Sequence, residues 1–253
     1  MEGLRPLTRS DLPWVVELAA ARRRQLADFA PRFWRPSAGA TAAHTEFLGS
    51  LIDTAAILSI RSEHGFLFGV PDGNRLVIDD FALEAEGDWA TEGLGLLRHA
   101  AAAGALRHAD AAGLLRVVCP APEPERREAV ESLGARVAES WWHRDLDSSG
   151  IAATATEPMD STVRVDGAEG RLVEAPPVYA PGGPVVLVTT VRDQSALLEI
   201  ERASVRRGAS VAVVILASGD DRGSELLEGN GYRRTTDFYE TLGGVAEDND
   251  QIS

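Results

Sequence analysis

The feature that most constrains this chain of 253 residues is an internal echo. Gly134 and Gly231 stand 97 positions apart, and the same shift carries Val117 onto Val214, Val118 onto Ile215, and Trp141-Trp142 onto Phe238-Tyr239. A glycine, an aromatic pair and an apolar strand at one offset imply a supersecondary unit used twice. The unit reads as strand, helix, strand, helix, strand. Its apolar strands run from Leu114 to Cys119 and from Ser210 to Ala217, followed by short polar helices from Glu125 to Leu133 and from Asp221 to Glu228. Aromatic-bearing strands ending at Leu146 and Leu242 close the two copies.

Ahead of the first copy, Thr8 precedes Asp11 by three, and Leu12, Val15, Val16 and Ala19 follow at helical spacing. This predicts a capped amphipathic helix to about Phe29, stopped by the prolines of Ala30-Pro31-Arg32-Phe33-Trp34-Arg35-Pro36. A second helix from Thr41 carries an apolar stripe of Phe47, Leu48, Leu51 and Ile52. Alternation then predicts a hairpin over 57–70, a turn at Pro71-Asp72-Gly73-Asn74, a strand from Arg75 to Leu83 and a helix from Glu92 to Ala109. In the second copy the strands are expected from Thr162 to Ala168, from Arg171 to Ala180 and over Val185-Val186-Leu187-Val188, and a helix from Ser195 to Arg207. The segment 147–160 is rich in Ser, Gly, Ala and Thr and reads as a linker, and 243–253 reads as an acidic tail.

Composition narrows the function classes. With 44% hydrophobic and 25% charged residues the chain can bury a core. It contains no Lys, and its 25 Arg against 39 Asp plus Glu leave −14, which argues against nucleic acid as a partner. No stretch approaches a membrane span, and the Arg- and Asp-bearing start lacks the apolar centre of a signal peptide. Cys119 is the only cysteine and falls in an apolar run, which predicts a buried thiol and suits a cytoplasmic location. The five histidines show no ligand spacing, so no metal site is expected.

With this element order the first half resembles the GNAT superfamily of N-acetyltransferases. The carrying residues are Thr8-Arg9-Ser10-Asp11-Leu12-Pro13 before helix one, Ile78-Asp79-Asp80-Phe81-Ala82-Leu83 as the fourth strand, Glu92-Gly93-Leu94-Gly95-Leu96-Leu97 as the acyl-CoA loop, and Ser132-Leu133-Gly134-Ala135. A weaker likeness covers the second half. The resemblance implies an α/β (α+β) fold with a mixed central sheet flanked by helices. It divides the chain into a GNAT-like acyltransferase domain at 1–146, the linker, a partial GNAT-like repeat at 161–242 and the tail. The association state expected is a monomer with an internal pseudo-dimer, or a homodimer.

The resemblance also implies a function, an acyl-CoA-dependent N-acyltransferase moving an acetyl group from acetyl-CoA to a primary amine of a small molecule or peptide. In this superfamily a splay between strands orients the pantetheine arm and glycines at a helix start admit the pyrophosphate. Those roles carry over to Phe81, Ala82 and Leu83 on the strand and to Thr91, Glu92, Gly93, Leu94, Gly95 and Leu96 in the loop. Asp79 and Asp80 are the candidate proton acceptors, with alternation expected to turn only one of them to the cleft. Trp34, Trp142 and His143 are the candidate acceptor-side residues. The sequence departs from the family at Ala90, where Gln or Arg is usual, at Glu92, where a base is usual, and at Val130, where many members carry a catalytic Tyr. The alternative is therefore a catalytically silent module of the same fold that binds CoA or another small ligand.

Overall fold

The computed structural model describes residues 3–107, 114–147 and 161–241. The linker beyond Asp147, the acidic tail and His108 lie outside the described residues. The first half opens with β1 (Arg5–Pro6), α1 (Leu12–Phe29) and α2 (Ala40–Asp53), then β2 (Leu58–Arg61), β3 (Gly65–Asp72), β4 (Arg75–Ile78) and β5 (Phe81–Leu83). It continues with α3 (Leu94–Arg107), β6 (Leu114–Pro120), α4 (Pro124–Glu131) and β7 (Arg136–Asp145). The second half comprises β8 (Thr162–Val165), β9 (Ala168–Val173), β10 (Val185–Val191), α5 (Gln194–Arg206), β11 (Val211–Ala217), α6 (Asp221–Gly229) and β12 (Arg233–Glu240).

All but one strand lie along one path, β1-β2-β3-β4-β6-β12-β7-β11-β10-β9-β8, with β5 paired to β3. The last strand of the second half thus sits between two strands of the first. The 97-residue offset holds pair by pair. Trp141 faces Thr236 and Phe238 faces Glu139, Trp142 faces Arg234 and Tyr239 faces Val137, and Ser140 faces Asp237, its own equivalent. A pseudo-two-fold axis therefore passes through the Ser140–Asp237 pair. The bulges obey it too, since the register skips Ala138 on one strand and its equivalent, Thr235, on the other. Outward from the axis, Val118 pairs with Phe238 as Ile215 pairs with Trp141. The parallel pairs end at Ile78–Val117 in one half and at Val188–Val214 in the other.

The exchange is energetic as well as topological. Trp142, on the first half's last strand, is buried among Val163, Leu172, Val186 and Leu197 of the second half. Its equivalent, Tyr239, is buried among Ile78, Leu96, Leu115 and Val130 of the first. Each aromatic contributes on the order of 1.5–3 kcal/mol by leaving water, and each does so in the other half's core. Trp142 is accordingly a core residue and not a cleft residue. Strand alternation sends its neighbour Trp141 to the opposite face, against Phe238 at 4.9 Å.

Local signals explain most elements. Asp11 accepts hydrogen bonds from Thr8 N and from both terminal nitrogens of Arg5, and Arg61 joins them at 2.9 Å. Structure and expectation differ in three places. The strand expected over 75–83 breaks at Asp79-Asp80, where β4 leaves off and β5 turns back to β3. The hairpin of the second half turns at Asp166-Gly167, where Gly167 has φ 80°, so residues 174–180 are not strand and cross instead to the first half. There Pro36 bridges Tyr179 and Ser37 N donates to Val178 O at 3.0 Å. Phe47, expected on the buried stripe of α2, is 49% exposed.

Candidate functional site

Two adjoining cavities lie over the sheet where the halves meet. The first, about 360 Å³, is walled by α1 and α2, with Arg22, Arg23, His44 and Phe47 facing Asp79, Asp80 and the crossing segment 176–179. The second, about 390 Å³, lies along the pseudo-axis between Trp34, Trp141, Phe238 and the valines of β10 and β11. Arg22, Leu26, Asp79, Pro176 and Tyr179 belong to both, so the two are chambers of one cleft.

The break between β4 and β5 decides what faces this cleft. Alternation would have separated Asp79 from Asp80, but both residues line the first chamber, where the chain is not part of a strand between Ile78 and Phe81. Asp80 Oδ1 lies 3.0 Å from His44 Nε2, and the other ring nitrogen meets the Arg23 guanidinium. A guanidinium only donates, so His44 Nδ1 accepts, and Nε2 carries the proton donated to Asp80. Asp79 differs, because its carboxylate has no hydrogen-bond partner among the described residues. Asp79 is exposed at the mouth of the cleft, where desolvation by the surrounding walls and then the Asp80 charge raise its pKa, while Arg22 and Arg126 oppose the rise. Tyr179, delivered by the second half, reaches the same chamber, and burial pushes its hydroxyl up to about 12.

The splay expected for a pantetheine arm is present. Beyond Ile78 and Val117 the parallel strands part, β5 following β3 and β6 following β12. The gap is filled from within. Arg126 of α4, fully buried, donates to Asp79 O and Phe81 O at 3.0 Å each and to Glu123 Oε2 at 2.9 Å. Its guanidinium lies 5.0 Å from the Phe81 ring centroid and 6.0 Å from that of Trp89. Glu123 in turn accepts from Arg22, which also donates to Asp79 O. The strand carbonyls at the splay are therefore bonded by a side chain.

The loop before α3 is closed in a similar way. It forms a five-residue wide turn, Trp89–Gly93, before the helix proper begins at Leu94. Asp88 caps it, its side chain accepting from Ala90 N and Thr91 Oγ1 and its carbonyl from Glu92 N and Gly93 N. The donors a pyrophosphate would need are taken. Gly93 is required for another reason, since a Cβ there would sit 2.7 Å from Trp89 Cε3. Thr91, Glu92 and Gly95 border a separate hollow with Ser62 and His64, where the Glu92 carboxylate accepts from His64 N at 2.8 Å. Burial would raise the Glu92 pKa, but bonds from Ser62 and His64 outweigh it and hold the carboxyl low, so a negative charge faces that hollow. Phe81, Ala82, Leu94 and Leu96 turn their side chains into the core, and Leu83 packs beside it. In this arrangement the residues assigned to CoA do not fit a pantetheine arm or a pyrophosphate.

Among the acceptor-side residues, Trp34 lines the second chamber. His143 instead packs behind its wall, 5.1 Å from the Phe33 ring, with its pKa lowered by burial. The residues that sequence reading missed are Arg22, Arg126, Glu123 and Tyr179. Arg126 follows Glu123 by three on a polar helix, a pattern that reads as a solvated face, and Tyr179 lies in a segment read as strand. Among the described residues no group of His, Cys, Asp and Glu is placed to hold a metal ion, and no helix is long and apolar enough to cross a membrane. Cys119 is buried, and burial pushes its thiol up to about 11.

No protein-family model matches the sequence, and no curated protein does. Solved structures do. A GCN5-related N-acetyltransferase from Sphaerobacter thermophilus matches with TM-score 0.56 at 12% identity, covering 94% of each chain. A structure described as an acetyltransferase from Thermoplasma acidophilum matches with TM-score 0.56 at 12% identity over 94% of this chain and 98% of that one. One described in the same terms from Pyrococcus horikoshii gives 0.51 at 10% identity over 96% and 90%. The chain has the fold of the GNAT N-acetyltransferases, a mixed central sheet flanked by helices.

Proposed function

We propose that this chain is a small-molecule-binding module built on the N-acetyltransferase fold, with its splay held shut by Arg126 and its ligand taken up in the cleft beneath α1, α2 and Tyr179. The observation that carries this reading is the bonding of Asp79 O and Phe81 O by a fully buried guanidinium. Displacing it would strand a cation between Phe81 and Trp89 and break a charge pair with Glu123, at a cost of about 3 kcal/mol that a ligand's binding would have to exceed.

A second reading is favoured by one specific observation, the free Asp79 carboxylate beside the splay. It makes the chain an N-acyltransferase that accepts acetyl-CoA once Arg126 has withdrawn, with Asp79 taking the proton of a primary amine of a small molecule or peptide. The two readings part in a melting experiment with 1 mM acetyl-CoA. The module reading expects no shift for the wild-type chain and no thiol release with an amine panel. It expects Arg126→Ala to melt earlier in the absence of ligand. A wild-type stabilisation approaching the roughly 2.7 kcal/mol of a hundredfold excess over Kd would overturn it in favour of the acyltransferase.

A further inference from the structure

We infer that the first chamber is a site for an organic monocarboxylate, its head group received by the Arg23 guanidinium of one half and the Tyr179 hydroxyl of the other. The inference rests on the reading of the cleft as a small-molecule site and adds the charge and class of its ligand.

Arg23 stands on α1 with 4% of its surface exposed, and it lines the chamber. One N–H goes to His44 Nδ1, and the rest of the guanidinium fork has neither a hydrogen bond nor a carboxylate partner among the described residues. His44 is no counter-ion, because it accepts at Nδ1 and donates at Nε2 to Asp80, which makes it the neutral imidazole. A buried guanidinium without an anion is costly to keep. The neighbouring charges do not remove the cost, since Arg22 and Arg126 share Glu123. Arg22, Arg23 and Arg126, none more than 15% exposed, are thus matched only by Glu123 and Asp80, at 16% and 20%. The other acids of the cleft, Asp79 at its mouth and Glu174 beside the second chamber, are exposed. One negative charge is wanting inside, which selects a monoanion over a cation and over a dianion.

The second donor comes from the segment that crosses from the other half. Tyr179 lines the same chamber, and its hydroxyl makes no hydrogen bond among the described residues. Burial pushes that hydroxyl up to about 12, so its proton is present to donate throughout the neutral range. A carboxylate is planar, and its two oxygens match the parallel N–H bonds of a guanidinium while keeping lone pairs for a tyrosine. The walls define the rest of the ligand. Ala19, Leu26, Phe66, Pro176 and Val178 are apolar, and a volume of about 360 Å³ is in the range of small-molecule sites. An apolar body on the acid head leaves no donor or acceptor unpaired against them.

Titration calorimetry on the full chain at pH 7 tests this with four probes: 3-phenylpropionate, its methyl ester, 2-phenylethylamine and inorganic phosphate. 3-Phenylpropionate is expected to bind, with the ester, the amine and phosphate at least tenfold weaker. Arg23→Gln, which removes the charge and keeps a donor, should weaken 3-phenylpropionate by about ten- to a hundredfold, and Tyr179→Phe by about three- to tenfold, each with a cooperative melt confirming the fold. The inference is overturned if 3-phenylpropionate does not bind, if the ester, the amine or phosphate binds as well as it does, or if Arg23→Gln leaves its Kd unchanged. Should Arg23→Gln fail to fold, an unchanged Kd in Tyr179→Phe overturns the inference in its place. Acetyl-CoA titrated into the wild-type chain is read separately: binding there would overturn the closed splay, while the carboxylate arm alone decides the Arg23 site.

Discussion

The two halves start the helix after their central parallel strand in different ways on paper and in a similar way in space. The first uses Trp89-Ala90-Thr91-Glu92-Gly93, with a glycine pattern suited to phosphate, and the second uses Thr190-Val191-Arg192-Asp193, which has no glycine. Yet Asp88 caps one and Asp193 the other, accepting from Ala90 N and Ala196 N at 3.0 Å. The glycine of the first half makes room for Trp89, not for an anion. One turn later in the fold the halves diverge. Glu123 and Arg126 correspond by the 97-residue shift to Asp220 and Gly223. In the second half Asp220 simply accepts from Gly223 N at 2.8 Å, whereas in the first the same two positions hold an ion pair that closes the splay. A motif residue can therefore be kept for packing, while a helix position with no motif decides what the gap can hold.

The largest test of this comparison removes the exchange itself. A chain ending before β12 leaves β6 and β7 without the strand between them and Ile78 without Tyr239, so far-ultraviolet dichroism and sedimentation should report loss of cooperative unfolding. In the same way, fragments separated after cleavage within 148–160 should each fail to melt sharply. A soluble half with a sharp transition would show the halves to be independent.

A smaller effect marks what the first half has and the second lacks. Asp11 is held well below the usual carboxylate range, by Arg5 first and, against the opposing effect of burial, by Thr8 and Arg61. A depressed carboxylate stabilises above its unfolded pKa and stops doing so as pH falls through the folded one. Asp11→Asn should therefore cost about 1–3 kcal/mol at pH 7, with the gap to wild type narrowing below about pH 4 in urea titrations.

The next test asks whether equivalent positions behave alike. Gly134 and Gly231 have φ of 81° and 75°, and a Cβ at either would meet open space. Changing each to Ala should cost about 1 kcal/mol, all of it from the left-handed backbone, and the two values should agree. Unequal values would mean that the pseudo-symmetry does not extend to energetics.

The smallest expected effect has the opposite sign. Asp79 has a raised pKa, so its ionised form opposes folding above the unfolded pKa and costs nothing below it. Asp79→Asn should raise the melting temperature slightly at pH 7, and the gain should vanish near pH 3.5.

Much of this fold was legible in the sequence because its signals are local or periodic. The offset between Gly134 and Gly231, the apolar strand around Val117 and the Thr8–Asp11 start all survive into the structure. The exchange of Trp142 and Tyr239 was not legible, since pairing between segments a hundred residues apart leaves no periodic trace. Nor was the joint placement of Asp79 and Asp80, because alternation assumes an extended chain and the chain bends there. Trp34 borders the second chamber, while Trp142 belongs to a core that its own half does not build. Arg126 escaped notice because a basic residue on a short polar helix is usually solvated, and only the tertiary gap between β4 and β6 gives it a buried role.

The interleaved seat of β12 also sets a timetable. While the chain is being made, β6 and β7 are complete roughly a hundred residues before the strand that joins them, an interval on the order of 5–20 s at ordinary elongation rates. Through that interval two strands present open edges, and a hydrophobic socket around Ile78 and Leu115 waits for its tyrosine. β7 pairing directly with β6 in the nascent chain would close the gap early and exclude β12. The final sheet would then require that pairing to reopen, and a holdase that shields the early edge until β12 emerges would spare the chain that step.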